Sequence, residues 1–335
     1  MKPVIYGLSG LELTPDERDF FRDADPLGYI LFKRNCGDRA QMKALTDSLR
    51  ALSGRADLPI LIDQEGGRVA RMQPPEWPAF PAPAVFDRLY EVAPVSAIEA
   101  ARANAHALGL MLAEVGVNVD ALPLLDVLRP ETSNVIGDRA LGSEPLRVAA
   151  LGNAVLEGLR CAGVVGIVKH MPGHGRGRVD SHLELPRVDA SAEELETDIA
   201  PFRALADAPM GMTAHVVFEA WDSARPGTLS PTVIGEVIRG RIGFQGLLMT
   251  DDIDMKALTG TAGEKAAAAI AAGCDVALDC WARMHEMTDI AERLGEASPG
   301  CLARLDRAMA TIAARPEPAE FAELVDKRDR LLALA

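Results

Sequence analysis

Short, mostly apolar runs recur along the chain, and longer segments of mixed polarity separate them. Continuous apolar runs are typical of parallel strands that are buried on both faces, whereas half-exposed strands alternate apolar and polar residues. We therefore predict eight parallel strands, over residues 2–8, 27–32, 58–63, 117–124, 164–170, 210–217, 246–252 and 274–279.

The segments between these runs carry helix signals. In the sequence TPDE, Thr14 is a candidate N-cap, Pro15 the first helical residue and Glu17 the partner in a capping box. Further helices are predicted from SAEE (191–194), from LSPT (229–232), and from the segments 96–116 and 262–273, which both end in glycine.

A strand followed by a helix, repeated about eight times, predicts an α/β fold of the (β/α)8 TIM-barrel type. Such barrels reach this length as one domain, so we expect residues 1–335 to form a single domain. We also expect irregularity at one or two strands. Because the active sites of these barrels lie at the carboxyl ends of the strands, functional residues should directly follow the apolar runs.

Composition narrows the class of protein. Asp and Glu number 49 against 35 Lys and Arg, which gives a net charge of −14, and this excess of acid argues against a nucleic-acid-binding face. The five cysteines include no C-x-x-C pair, which favours reduced thiols over a disulfide framework. No apolar run reaches transmembrane length and no signal peptide is recognisable. We expect a cytoplasmic enzyme without membrane contact, as a monomer or weak homodimer.

Polar residues do follow the predicted strands. The third ends in Asp63, the fifth in Lys169 and His170, the sixth in His215 and the seventh in Asp251. The segment after the fifth strand, KHMPGHGRGRVDSH (169–182), contains three of the six histidines. These side chains should gather on one rim of the barrel.

Two interpretations of that segment are weak. A metal-dependent barrel hydrolase would use His170, His174, His182, His215 and Asp251, but Pro172 and Gly173 interrupt the i, i+4 pair that a zinc-binding helix needs. A phosphate loop would need the G-K-[ST] ending, which PGHGRG lacks. We expect neither a metal nor a cofactor, and keep the metal hydrolase as the alternative.

A third interpretation pairs carboxylates with histidine. Asp180 and His182 are two residues apart, so both side chains point to one face if the segment is extended. The carboxylate would then stabilise the protonated imidazole, which makes His182 a candidate general acid. Asp251, at the end of an apolar strand, should be held ionised by Lys169, Arg139 and Arg71. An ionised carboxylate beside a protonated acid can cleave a glycosidic bond.

The motifs as a set resemble glycoside hydrolase family 3, in particular its short bacterial β-N-acetylglucosaminidases. Nearly the whole chain is covered, in the family's order. The resemblance rests on IDQEGGRVAR (62–71), NVIGDRALG (134–142), KHMPGHGRGRVDSHLELP (169–186), MTAHVVFEAWD (212–222) and MTDDIDM (249–255).

The resemblance implies a retaining exo-β-N-acetylglucosaminidase. Asp251 corresponds to the nucleophile, His182 to the general acid/base and Asp180 to its dyad partner. The implied substrates are N-acetylglucosamine–1,6-anhydro-N-acetylmuramic acid and its peptide-bearing forms, in cell-wall recycling. Positions that bind the terminal N-acetylglucosamine correspond to Asp63, Arg71, Arg139, Lys169 and His170.

Other polar residues of the motifs are expected to be structural. We predict that Asp252 caps a loop and that His174 shapes its own loop. Glu65, Asp126 and Asp138 are predicted to pair with arginines of the rim. A catalytically inactive sugar-binding protein on the same barrel is a further possibility, but the presence of Asp251, Asp180 and His182 argues against it.

Overall fold

A computed structural model describes residues 1–179, 185–312 and 318–335 of the chain. Eight parallel strands form a closed barrel, which confirms the predicted fold class, and each strand falls within or next to one predicted run. In order around the barrel they are β1 (Lys2–Gly7), β2 (Pro26–Leu31), β3 (Ile60–Ile62), β4 (Val119–Asp120), β5 (Val165–Met171), β7 (Met210–Thr213), β9 (Leu247–Asp252) and β10 (Val276–Asp279).

The expected irregularity is present. Strands β3 and β4 contain three and two residues, and the register shifts between β1 and β2, β5 and β7, and β9 and β10. The predicted strand 210–217 is split, because its last residue belongs to a second, two-stranded parallel sheet. That sheet consists of β6 (Arg187–Val188) and β8 (Val217–Phe218), which the sequence pattern did not predict.

Helices fill most connections between the strands. They are α1 (Pro15–Ala24), α2 (Arg39–Ser53), α3 (Ala84–Val92), α4 (Pro94–Glu114), α5 (Pro145–Cys161), α6 (Glu196–Ala204), α7 (Ala262–Ala272), α8 (Met284–Arg293), α9 (Pro299–Ala310) and α10 (Phe321–Leu332). A π-helix covers Val233–Ile242, and short 3-10 helices cover Lys33–Asn35, Gly137–Arg139 and Gly227–Leu229.

The predicted capping residues act as expected at α1. The Glu17 N–H donates to the Thr14 hydroxyl over 3.1 Å, and the Glu17 carboxylate accepts from the Thr14 N–H over 2.9 Å. Ser191 and Glu194 exchange the same two hydrogen bonds, but turns follow them and α6 begins only at Glu196. The cap therefore predicted the local geometry correctly and the start of the helix too early.

Apolar side chains occupy both surfaces of the barrel wall, which explains the continuous apolar runs. One set packs inside the barrel, including Ile167, Met249 and Leu278, and a larger set packs between strands and helices. Helix α9 closes the amino-terminal end, where Cys301 and Leu305 join the interior set. The opposite end, at the carboxyl ends of the strands, is left to polar side chains.

None of the helices in the described parts of the chain combines the length and the apolar character needed to cross a bilayer.

Candidate active site

A cavity of about 380 Å³ opens at the carboxyl end of the barrel. Two arcs of the rim line it, with Asp251 of β9 where they meet. The loops after β3 and β4 and the end of β5 contribute Asp63, Glu65, Arg68, Arg71, Arg139, Lys169 and His170, and the arc from β9 through β10 to β2 contributes Asp252, Leu278, Cys280, Trp281, Phe32 and Arg34.

Strand alternation explains why two of the predicted site residues reach this cavity. Side chains two residues apart point to the same face of a strand. Val165 and Ile167 belong to the barrel interior, and Lys169 follows them in the same alternation. In β9, Leu247 and Met249 precede Asp251 in the same way. The strands therefore place Lys169 and Asp251 at the mouth of the barrel with their side chains directed inward.

Five charged side chains of the β3–β5 arc form one network. The Lys169 ammonium group lies 3.1 Å from the Asp63 carboxylate and 2.7 Å from the Glu65 carboxylate. Arg71 donates to the other oxygen of Asp63 over 3.0 Å. Arg139 makes a two-bonded contact with Glu65, over 2.7 and 2.8 Å. The network brings together the predicted residues Asp63, Arg71, Arg139 and Lys169.

The paired charges hold one another ionised. Burial alone would raise the pKa of Asp63, but Lys169 and Arg71 outweigh it and lower that pKa well below its usual range. Burial would likewise raise the pKa of Glu65, and Lys169 and Arg139 lower it. Burial disfavours the ammonium form of Lys169, but Glu65 and Asp63 raise its pKa overall. The cavity therefore presents fixed carboxylates and fixed cations to a ligand.

A buried glutamine, which the sequence did not single out, holds the loop after β3. The Gln64 side chain accepts from the backbone N–H groups of Arg71 and Met72 and donates to the Met72 carbonyl. The Gln64 N–H in turn donates to the fully buried Asp120 carboxyl over 3.0 Å. An aspartate inside the apolar run 117–124 was the sequence signal for this support.

The predicted pairing with rim arginines has a different outcome for each of Glu65, Asp126 and Asp138. Glu65 pairs with Arg139 as predicted, and Asp138 accepts from Arg68 over 2.8 Å. The prediction for Asp126 was wrong, because its hydrogen-bond partners are histidine groups. Asp126 accepts from the N–H groups of His170 and His174 and contacts the His170 Nδ1 atom at 2.7 Å.

His170 lies between two carboxylates. Its Nδ1 atom is bound to Asp126, so its Nε2 atom faces Asp251, 4.0 Å from the nearer carboxylate oxygen. His174 contacts Asp126 through its backbone, whereas its ring nitrogens have no hydrogen-bond partner within the described residues. The ring of His174 lines the cavity.

The Asp251 carboxylate is accessible from the cavity, with its side chain 23% exposed. Burial alone raises its pKa, but His170, His215 and the Asp252 N–H stabilise the ionised form and bring the pKa below its ordinary value. The predicted ionisation is supported, but the predicted causes need correction. Arg71 and Arg139 are paired with Asp63 and Glu65, and Lys169 has a smaller effect than the histidines.

A chain of hydrogen bonds supports the end of β9 from behind. His215 contacts the Thr228 hydroxyl through Nδ1 at 2.7 Å and the Asp252 carbonyl through Nε2 at 2.9 Å. Burial lowers the pKa of His215, and the Asp251 carboxylate opposes that shift. Since a carbonyl can only accept, the Nε2 atom of His215 carries a proton, and the Thr228 hydroxyl itself donates to the Ala214 carbonyl over 3.1 Å. This arrangement fixes the backbone beside Asp251.

Asp252 caps the loop after β9, as predicted. Its carboxylate accepts from the Asp254 N–H over 3.1 Å and from the Trp281 indole N–H over 3.1 Å. Burial raises its pKa to about 6, and the neighbouring Asp251 adds to that effect. Asp180 and His182, the predicted acid/base pair, lie outside the described residues.

The described geometry gives the metal-hydrolase alternative no support. Within residues 1–179, 185–312 and 318–335, no three His, Cys, Asp or Glu side chains are arranged to hold a metal ion. His170 and His215 use ring nitrogens in hydrogen bonds to protein groups.

Comparison with known proteins identifies the family. The family model of the glycosyl hydrolase family 3 N-terminal domain matches residues 15–313. A β-hexosaminidase of Alkalilimnicola ehrlichii is 42% identical over 287 residues, which cover 83% of this chain and 80% of that protein. A β-hexosaminidase of Aromatoleum aromaticum is 37% identical over 326 residues, covering 95% and 89%.

The fold agrees with this match. NagZ from Neisseria gonorrhoeae, solved in complex with N-trifluoroacetyl-D-glucosamine, superposes with a TM-score of 0.87 at 30% identity and covers 100% of this chain and 98% of its own. The closed barrel, the charged cavity at its carboxyl end and these relatives agree: the chain belongs to glycoside hydrolase family 3 and is a β-N-acetylhexosaminidase.

Proposed function

We propose that the protein is a retaining exo-β-N-acetylglucosaminidase with Asp251 as its nucleophile. The observation that carries this proposal is the Asp251 carboxylate, which lines the charged cavity, is partly exposed and has a pKa below its ordinary value. A nucleophile for C1 of a sugar has to be unprotonated and within reach of the bound ring. Asp251 meets both conditions among the described residues.

Asp63, Arg71, Arg139, Lys169 and His170 are proposed to bind the terminal N-acetylglucosamine. Their chemistry suits a polyhydroxylated ring. The Asp63 carboxylate accepts hydrogen bonds from sugar hydroxyls, and Lys169 and the arginines donate to them. Because Lys169 and Arg71 are already paired with Asp63, and Arg139 with Glu65, these groups need little rearrangement when the sugar enters. Exo action is proposed from the resemblance to the bacterial family members.

The proposed reaction has two displacements. An Asp251 oxygen attacks C1 and forms a covalent glycosyl ester while the bond from C1 to the leaving oxygen breaks. Protonated His182, stabilised by Asp180, gives its proton to that oxygen. Neutral His182 then takes a proton from water, the resulting hydroxide attacks C1, and Asp251 leaves as a carboxylate. General acid–base catalysis of this kind contributes roughly 10²–10⁴-fold.

The assignment of Asp180 and His182 comes from the family motif. The described part of the same segment supports it by position. This segment leaves β5 at Met171, and His174 still lines the cavity. The Gly177 carbonyl accepts from the Ser133 N–H over 2.9 Å, which holds the segment against the loop after β4. Gly177 therefore lies at the rim, three residues before Asp180 in the sequence.

The proposed physiological substrates are N-acetylglucosamine–1,6-anhydro-N-acetylmuramic acid and its peptide-bearing forms, cleaved during cell-wall recycling in the cytoplasm. The resemblance to the bacterial family members supports this proposal, and the related β-hexosaminidases support the coarser activity on N-acetylhexosamine. We further propose that residues 1–335 act as one barrel domain and that the protein works as a monomer or weak homodimer, without nucleic-acid or membrane partners.

Replacing the nucleophile tests the proposal. Asp251→Ala should lower kcat for an aryl β-N-acetylglucosaminide by at least about 10⁴-fold, because the covalent route is lost. Asp306→Ala removes an exposed carboxylate on α9, far from the cavity, and serves as the control. A folded Asp251→Ala protein with the wild-type rate would refute the assignment.

A further inference from the structure

The β9–β10–β2 arc of the cavity has no part in the sugar contacts proposed above. It contains two aromatic residues, Phe32 and Trp281, within a cavity whose other arc is charged. A disaccharide bound with its terminal sugar on the charged arc extends from C1 past Asp251 toward the rest of the rim. The inference rests on the proposed function and concerns the residue that contacts the leaving sugar, the aglycone.

Phe32 is not available for this role, because cations cover its ring. The Arg34 guanidinium lies 4.8 Å from the centre of the Phe32 ring, and the Arg71 guanidinium lies 5.1 Å from it. Both arginines are held in place, Arg34 by the Leu8 carbonyl over 2.7 Å and Arg71 by Asp63 over 3.0 Å. The phenyl ring therefore packs against protein cations.

Trp281 is available, because 53% of its surface is exposed. One cation approaches its ring, the Arg283 guanidinium at 5.5 Å. Arg283 does not line the cavity, whereas Trp281 does. The indole therefore offers the cavity surface that Arg283 leaves open.

The position of the indole is fixed before any ligand binds. Its N–H donates to the Asp252 carboxylate, directly after the nucleophile in sequence. Arg283 is itself held by Asp254 at 3.2 Å and by Glu286 at 2.9 Å. The next residue, Ala282, has a φ of 57°, a left-handed conformation that is unfavourable for alanine and that is found where surrounding contacts impose it.

We propose that Trp281 is the platform for the aglycone and selects leaving groups that contain a pyranose ring. One face of a pyranose carries mainly C–H groups, and it matches the electron-rich face of an indole, which is large, apolar and rigid. The indole N–H contacts Asp252, the residue that follows the nucleophile Asp251, so the indole lies beside the group that attacks C1. Trp281 is thus a specificity-determining residue, and the sequence analysis overlooked it.

The test compares two substrates of the same terminal sugar. In methyl β-N-acetylglucosaminide the aglycone has no ring, and in the β-1,4-linked disaccharide of N-acetylglucosamine it is a pyranose. Trp281→Ala should lower the ratio of kcat/KM for the disaccharide to kcat/KM for the methyl glycoside by about tenfold, as expected for the loss of an aromatic anchor. The ratio cancels any effect on the shared chemical step.

Further variants separate the indole face from its hydrogen bond. Trp281→Phe loses the N–H to Asp252 but keeps an aromatic face, so the ratio should stay within about threefold of the wild type. Trp281→Leu keeps apolar volume without that face and should behave like Trp281→Ala. Leu146→Ala, which removes an exposed apolar side chain on α5 outside the cavity, should leave the ratio unchanged.

Thermal unfolding establishes which variants are folded. If folded Trp281→Ala and Trp281→Leu lower kcat/KM equally for both substrates, or for neither, the platform is refuted and the proposed function stands. If Trp281→Phe lowers the ratio as much as Trp281→Ala, the hydrogen bond to Asp252 is responsible and the platform is again refuted. A wild-type protein that cleaves neither substrate would overturn the proposed function as well.

Discussion

Buried carboxyl groups at the ends of the strands differ in whether they have partners. Glu65 is buried and contacts both Arg139 and Lys169, which compensate the cost of removing its charge from water. Asp279, at the end of β10, is equally buried, but neither carboxyl oxygen has a hydrogen-bond partner within the described residues. The two environments shift the pKa of the carboxyl groups in opposite directions.

Asp279 makes the stability of the protein depend on pH. Burial raises its pKa to about 8, with Asp252, Glu286 and Asp254 adding to that effect and Arg283 opposing it. Between about pH 4 and 8 the folded protein therefore holds a proton that the unfolded chain releases, so the free energy of unfolding falls as pH rises. The limiting slope for one group is about 1.4 kcal/mol per pH unit.

Asp279→Asn should remove this contribution. We expect the melting temperature of the variant to exceed that of the wild type at pH 7.5 by more than it does at pH 4.5, because the asparagine cannot ionise. Differential scanning calorimetry across this range measures the effect. Parallel pH profiles for the variant and the wild type would show that Asp279 ionises normally in the folded protein.

At the scale of the elements, helices α4 and α5 pack closely because of glycine. A Cβ atom on Gly158 of α5 would lie 2.4 Å from the Arg102 carbonyl oxygen and 2.8 Å from the Ala105 Cβ, both in α4. In α4, a Cβ on Gly109 would lie 2.6 Å from the Cβ of Ala162, which directly follows α5. The small residues bring the two helices into contact and fix the position of α5, which leads into β5 and its residue Lys169.

Gly158→Ala should therefore destabilise the protein by about 1–3 kcal/mol, because the added methyl group forces the helices apart. Gly235, in the helix Val233–Ile242, is the matched control, since a Cβ there meets no atom within 4 Å. Gly235→Ala should stabilise by about 0.5–1 kcal/mol through the entropy of the unfolded chain. Urea unfolding measures both. Equal effects of the two substitutions would contradict this account of the interface.

The continuity of the apolar run sets the limit of prediction at this scale. The long apolar runs predicted eight strands because burial on both faces leaves a continuous signal. Strands β6 and β8 have two residues each and, unlike the equally short β4, do not lie within an apolar run of their own, so the sequence could not reveal their sheet. Alternation within β5 and β9, which the structure shows, accounts for the inward direction of Lys169 and Asp251.

At the scale of the molecule, the sequence predicted the barrel, the rim that bears the site and most of the charged residues in it. It could not predict partners that are distant in the chain and that depend on the assembled rim. Gln64 meets Asp120 across 56 positions, and Asp126 meets His170 across 44. Trp281 was overlooked for a related reason, because an isolated tryptophan after a strand carries no signal until the cavity is formed.

The most direct test of the central claim is to identify the residue that becomes glycosylated. The wild-type protein would be treated with a fluorinated N-acetylglucosaminyl fluoride, whose ring fluorine slows hydrolysis of the covalent intermediate, then digested with pepsin and examined by tandem mass spectrometry. We predict one added glycosyl group, located by fragmentation on Asp251. A glycosyl group on Asp252, Asp63 or any other residue, or turnover of the reagent with no covalent species, would contradict Asp251 as the nucleophile.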